Sequence, residues 1–355
     1  MVSRGTPGVV VMRLLPTGRV SHTVVLRDDM NGIPRRTIED GDWFGSSIAS
    51  IGDVSGDGFN DLAVGAPLTD TVRQGDGAVY ILRMAADDTV SSMTRISQAV
   101  GEGLTELSKW QVGRSLAAIP PRGGDGVVEL VCGLGSANLV FLVRLSQNGT
   151  VVPNSTQTIG DGIGGMSSSE IQIHSRFGSH VAGAGDLNGD GVDDLVVSAE
   201  SDGAVTFNDG AVYILFLSPG GSVNPVSSHI KLTKSSPGLS GEIPSVGRLF
   251  SGGVIADLNG DGRPELLLGI PRDPLQSNDT GSVAIAFMGG AMPSTSPTPS
   301  ATPLHNPYST GSVPLPSISP TPNAAPSPPP ASAISVRPSG AVPLGATLPV
   351  GITAF

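Results

Sequence analysis

DLNGDGVDDLVVSAE, residues 186–200, decides the fold and points to the chemistry. Its first nine residues place Asp186, Asn188, Asp190 and Asp194 at positions 1, 3, 5 and 9 around two glycines, and the stretch from Leu195 onward reads as a buried strand. The same frame returns without gaps as DVSGDGFNDLAVGAP (53–67) and DLNGDGRPELLLGIP (257–271). A fourth copy, PRGGDGVVELVCGLG (121–135), has lost its first acidic position. From residue 53 the copies begin 68, 65 and 71 residues apart. A period of this kind marks one supersecondary unit repeated along the chain.

Working outward, FGSSIASIG (44–52), VGRSLAAIP (112–120) and FGSHVAGAG (177–185) precede three of the loops and alternate as half-buried strands do. Downstream lie GAVYILRM from Gly77, NLVFLVRL from Asn138, GAVYILFL from Gly210 and GSVAIAFM from Gly281; a weaker fourth strand is exemplified by SVNPVSSHIKL. One unit is therefore strand, acidic loop, strand, loop, strand, turn, strand. A four-stranded antiparallel sheet of this length cannot bury both faces alone, so neighbouring sheets must stack. Radial stacking gives an all-β propeller of four-stranded antiparallel blades. A parallel β-helix has shorter rungs and lacks these hairpin-length connections. The N-terminal VVVMRLLPTGRVSHTVVLRD matches the third and fourth strands of a unit, and SVAIAFMGG matches a third strand again. Four repeats arranged in this way are expected to be part of a larger propeller, completed by further blades of a longer chain or by another chain.

Phe44-Gly45 through Gly65-Ala66-Pro67, and Phe177-Gly178 through Ser198-Ala199-Glu200, resemble the FG-GAP repeats of integrin α-subunit propellers and their microbial relatives. The resemblance covers nearly all of residues 1–290. It implies a seven-bladed propeller with calcium in the loops of some blades. The chain departs from that pattern in having four repeats, in a degenerate FG in repeats two and four, and in lacking GAP in repeats two and three.

The loops carry their own chemical argument. Alternate residues of a tight loop point inward, so the spacing 1, 3, 5, 7, 9 converges hard oxygens on one point, as Ca²⁺ requires. The first loop offers Asp53, Ser55, Asp57, the Phe59 carbonyl and Asp61; the third, Asp186, Asn188, Asp190, the Val192 carbonyl and Asp194. The fourth offers Asp257, Asn259, Asp261, the Arg263 carbonyl and Glu265, the last one methylene longer than its counterparts. Gly56 and Gly58 permit the positive φ of such a wrap. An EF-hand needs a bidentate Glu at position 12 and a helix after it, whereas position 12 here is Val64, Val197 or Leu268 in a strand-like run. The competing interpretation is an Asp-Gly turn whose carboxylates bond only the local backbone. About three Ca²⁺ sites are expected, with the second loop empty because Pro121 and Gly123 replace two ligands and leave Asp125 and Glu129.

Composition agrees. With 31 acidic against 20 basic residues, the net charge of -11 favours cations as electrostatic partners and argues against nucleic acid. The single Cys132, in LVCGLG, excludes an internal disulfide and is expected to be a buried, inert thiol. No apolar run is long enough to span a membrane. There is no nucleophile elbow, Walker loop or HExxH, so no enzyme is predicted. The expected role is an extracellular or cell-surface adhesion module that binds a protein or glycan. The alternative is the non-catalytic propeller part of a larger secreted hydrolase or lyase, although carboxylates such as Asp193 or Glu200 could do acid-base work. Asn148, Asn154 and Asn278 lie in glycosylation sequons. The five His, including His174 and His180, show no metal spacing and are expected at surface or turn positions. Residues 291–355 hold 16 of the 30 prolines, one charged residue, Arg337, and no Asp or Glu, which predicts a disordered tail or stalk behind a propeller of residues 1–290.

Overall fold

The computed structural model describes residues 7–287 apart from 73, 100–110, 123, 125, 204–208, 221, 238–250, 256, 259–263 and 271–281, together with residues 352–354. Every regular element among them is a β-strand. The first sheet holds β1 (Val9–Leu14) and β2 (Val20–Leu26). Three complete four-stranded antiparallel sheets follow in sequence order. They are β3 (Ser47–Gly52), β4 (Asp61–Ala66), β5 (Ala78–Met84) and β6 (Val90–Ser97); β7 (Ser115–Ile119), β8 (Glu129–Leu134), β9 (Leu139–Arg144) and β10 (Gln157–Gly160); and β11 (Phe177–Gly185), β12 (Asp194–Ala199), β13 (Ala211–Leu217) and β14 (Val226–Leu232). The fifth sheet has β15 (Ser251–Ile255), β16 (Glu265–Ile270) and β17 (Ser282–Ala286). Each acidic loop joins the first strand of a blade to the second, as its place in the repeat predicts.

Sheet stacking is visible in the burial pattern. Strands β4, β8 and β12 are buried at every position, because each lies in mid-sheet with a neighbouring sheet on both faces. Alternate side chains then feed two different cores. Ala63, Val79 and Ile81 pack with Leu116, Leu130, Cys132 and Phe141 of the next blade. Leu62, Val64, Tyr80 and Leu82 pack the other way, with Val9, Val24 and Leu26 of the blade before. Val131, Leu142 and Ile159 meet Val181, Leu195 and Tyr213, while Val196, Val212 and Ile214 meet Leu266, Leu268 and Ile270. The first strand of each blade lies against the first strand of the next, β3 on β7, β7 on β11 and β11 on β15, which is the blade-on-blade packing of a propeller.

The glycines of the repeat mark where one blade touches another. Gly113, in the position of the FG glycine, has φ of 90°, and its carbonyl oxygen would lie 1.8 Å from a Cβ built on Gly65 of the preceding GAP. One blade on, the Gly178 carbonyl would lie 2.2 Å from a Cβ on Gly133. Main chain meets main chain at these joints, and no side chain fits between. The FG phenylalanines support the same corner from within the blade. Phe44 meets Tyr80 edge-on at 5.6 Å between ring centroids, and Phe177 meets Tyr213 at 5.1 Å.

Two expectations change. His180 lies on β11 and is partly buried, with burial holding its imidazole below the usual value, rather than in a surface turn. Of the segment 291–355, only residues 352–354 are described, and these form β18 (Ile352–Ala354), antiparallel to Val9–Val11 at the edge of the first sheet, where an unstructured end was expected. Cys132 is fully buried and burial pushes its thiol pKa up. A thiol reagent at pH 8 should accordingly leave the folded protein unlabelled and react in denaturant; rapid labelling without denaturant would contradict the buried position.

Candidate metal centres

The first and third loops are built by the same hydrogen bonds. Asp53 Oδ1 accepts from the N–H groups of Gly56 at 2.7 Å and Asp57 at 3.0 Å, and its Oδ2 accepts from Gly58 at 2.8 Å. Asp186 accepts from Gly189, Asp190 and Gly191 at 2.7, 3.0 and 2.8 Å. These donors favour the ionised form: the Gly58 N–H above all holds Asp53 below the usual carboxylate value, and the Gly191 N–H does so for Asp186. At position 5, Asp57 Oδ1 accepts from Phe59 N–H and Asp190 Oδ1 from Val192 N–H, both at 2.9 Å. At position 3, Ser55 Oγ donates to Asp53 Oδ1 at 3.4 Å and Asn188 Nδ2 donates to Asp190 Oδ2 at 2.9 Å. Asp53, Asp57, Asp186 and Asp190 are exposed at the loop tips.

Position 9 is different. Asp61 and Asp194 are fully buried. Asp61 Oδ2 accepts from Val54 and Ser55 at 3.1 and 3.0 Å, while its Oδ1 reaches across to Met84 N–H at 3.0 Å. Asp194 repeats this with Leu187 at 2.9 Å and Leu217 at 3.0 Å. The ninth carboxylate thus ties the loop to the end of the third strand. Burial raises the pKa of Asp61, and it raises that of Asp194 to about 6, with the neighbouring Asp190 and Asp186 adding to the rise.

Gly56 and Gly58 have φ of 78° and 92°, and Gly189 and Gly191 have φ of 79° and 85°, so the expected wrap is present in both loops. A Cβ on any of the four would meet nothing within 4 Å, so the constraint is the backbone conformation itself. Gly58→Ala and Gly191→Ala should therefore each lower the stability measured by urea unfolding, by about 1 kcal/mol.

The donor set fits a hard cation. It is all oxygen, it concentrates carboxylates, and among the described residues no Lys or Arg forms an ion pair with Asp53, Asp57, Asp61, Asp186, Asp190 or Asp194. Asp53 Oδ2, Asp186 Oδ2, Asp61 Oδ1 and both Asp194 oxygens each accept one of these bonds and keep a further lone-pair direction. The side chains are not gathered into a cage, however: among the described residues no three His, Cys, Asp or Glu are grouped closely enough to hold a metal. In the fourth loop Glu265 is buried and its Oε2 accepts from Leu258 N–H at 2.5 Å, repeating the position-9 bond, while Asn259, Asp261 and Arg263 lie outside the described residues. In the second loop Glu129 pairs with Arg122 at 2.6 Å, and Asp125 lies outside the described residues. Spacing alone missed both the tie from position 9 to the third strand and the partner of Glu129. The available signal for the latter was Arg122 standing where the other copies have Val54, Leu187 and Leu258.

The family model described as FG-GAP repeat matches residues 44–82, 177–215 and 250–285, which coincide with the first three strands of two complete blades and with the fifth sheet. The chain is 31% identical to integrin alpha-PS5 of Drosophila melanogaster over 112 residues, 32% of this chain and 11% of that protein. It is 36% identical to integrin alpha-3 of Cricetulus griseus over 99 residues, 28% of this chain and 9% of that one. Against integrin alpha-5 of Xenopus laevis it is 30% identical over 135 residues, 37% and 12% of the two chains. The matched stretch thus spans about a tenth of each relative. A solved structure of BBS1N in complex with ARL6DN aligns with a TM-score of 0.32 at 14% identity over 76% of this chain and 78% of that one, a likeness too loose to bear on fold or function. Three segments of the chain thus match the FG-GAP repeat, and over about a third of its length the chain is similar to integrin α-subunits.

Proposed function

We propose that this chain is a calcium-binding, extracellular β-propeller module that presents a ligand surface for adhesion, with Ca²⁺ in the loops 53–61, 186–194 and 257–265. The observation that carries this reading is the loop frame shared by residues 53–61 and 186–194, whose carboxylates form no ion pair with a Lys or Arg among the described residues. Asp53, Ser55, Asp57, the Phe59 carbonyl and Asp61 would hold one ion, and Asp186, Asn188, Asp190, the Val192 carbonyl and Asp194 another. A bound ion supplies positive charge and a crosslink between loop residues. Asp61 and Asp194 already tie their loops to the third strand, so stiffening the loop stiffens the blade edge.

Ligand contact is assigned to the opposite end of the blades, where the second strand turns into the third and one blade passes to the next. Val72 at 61% exposure, Trp43 at 55% and Ile173 at 84% lie in those connections, an arrangement that suits a protein or glycan surface. The likeness to integrin α-subunits supports the same reading, including a cell-surface location and a role other than catalysis. Among the described residues no helix is long and apolar enough to cross a membrane.

Extracellular calcium modules bind at about 10⁻⁴ to 10⁻³ M, so thermal unfolding should be compared in chelator and in excess calcium. Each site at ten times its Kd contributes about 1.4 kcal/mol by mass action, so three sites should raise Tm by about 8 °C. Asp57→Ala and Asp190→Ala should each remove part of that rise, and Asp125→Ala none of it. An unchanged Tm on adding calcium would sink the proposal.

A further inference from the structure

Arg122 stands at position 2 of the degenerate loop. In the first and third loops this position is aliphatic and enters an inter-blade core: Val54 packs with the blade carrying Leu116 and Leu130, and Leu187 with the blade carrying Leu266 and Leu268. Arg122 enters the equivalent joint with a charge, and its side chain is 2% exposed. A buried guanidinium is tolerated only when its charge and its N–H groups are matched. Here they are. Nε and Nη2 donate to Glu129 Oε2 at 3.0 and 2.6 Å, Nη2 also donates to Gln157 Oε1 at 2.7 Å, and Nη1 donates to the Ser218 carbonyl at 2.9 Å.

Two of these partners belong to the same blade as Arg122, and Ser218 belongs to the next. The crossing is reinforced on both sides. Gln157 Nε2 donates to the Ser222 carbonyl at 2.8 Å, and Gly220 N–H donates to the Arg122 carbonyl at 3.1 Å. Glu129 occupies position 9, the place held by Asp61 and Asp194 in the loops read as calcium sites. The one copy that has lost its first acidic position therefore keeps its ninth carboxylate and supplies a cation from its own chain.

We propose that Arg122 is a built-in counter-cation that replaces the metal of the second loop and fastens this blade to the one carrying β11–β14, so that this joint holds without calcium. The contrast with the other loops rests on the calcium reading above; the fastening itself does not. It makes the array uneven: removing calcium would loosen the edges at residues 53–61 and 186–194 and leave the Arg122 joint closed.

The test is thermal unfolding of the full chain, in chelator and in millimolar calcium, for wild type, Arg122→Ala and Arg122→Ala/Glu129→Leu. Arg122→Ala leaves a buried carboxylate unpaired, so Tm should fall by about 10 °C, and equally in both solutions. Adding Glu129→Leu removes that charge and should restore at least half of the loss, or restore folding if the single variant does not fold. A fall under about 2 °C, a fall that calcium repairs, or a double variant no better than the single would overturn the proposal. If chelator leaves wild type unchanged while Arg122→Ala still loses stability in both solutions, the calcium reading fails and the Arg122 joint stands.

Discussion

Gly65→Ala is expected to cost more than about 3 kcal/mol and to leave little folded protein at 37 °C. The new methyl would sit 1.8 Å from the Gly113 carbonyl oxygen and 2.4 Å from Ser47 Oγ, where no real Cβ can. The nearest obstacle is main chain of the next blade, held in place by its own sheet, so relief requires the blades to part. Gly133→Ala, 2.2 Å from the Gly178 carbonyl, should behave alike. Gly253→Ala is the control, since its Cβ would meet nothing within 4 Å and its φ is not positive; it should change stability by less than about 0.5 kcal/mol. Urea midpoints for the three variants decide the matter. If Gly65→Ala were as benign as Gly253→Ala, the joint between blades would have to be wider than described.

Asp194→Ala is the second large effect, at about 3 kcal/mol in the absence of calcium. It strands the buried N–H groups of Leu187 and Leu217, which lose their acceptor. Asp194→Asn should be nearly as damaging, because an amide can accept from one of these N–H groups only by presenting its own N–H₂ to the other. Asp190 lies at the exposed tip, so Asp190→Ala should cost less than about 0.5 kcal/mol without calcium and weaken calcium binding instead. Unfolding of the three variants in chelator separates the carboxylate that builds the loop from the one that faces solvent. Equal losses for Asp190→Ala and Asp194→Ala would mean that the two positions share one role.

The strands were legible because their signal is local: the runs from Gly77, Gly210 and Gly281 contain the third strands, and FGSHVAGAG coincides with β11 from end to end. The stacking was legible because β4, β8 and β12 are apolar on both sides, which only a sheet between two others can use. Positive φ at Gly56 and Gly58 followed from the loop spacing. What stayed hidden depends on residues distant in sequence. Nothing near Asp61 announces that it bonds Met84, and nothing near Arg122 announces Ser218, 96 positions away. The pairing of Ile352–Ala354 with Val9–Val11 is likewise beyond a reading by composition, which sees only a proline-rich segment with a single charged residue.

Calorimetric titration of the full chain with calcium, carried to about 10 mM to cover the affinities of extracellular modules, is the most direct measurement of the central claim. The expected result is close to three sites, one fewer in Asp57→Ala, one fewer in Asp190→Ala, and no change in Asp125→Ala. Absence of calcium heat in the wild type, or a stoichiometry that neither Asp57→Ala nor Asp190→Ala reduces, would contradict the assignment of these loops as calcium sites.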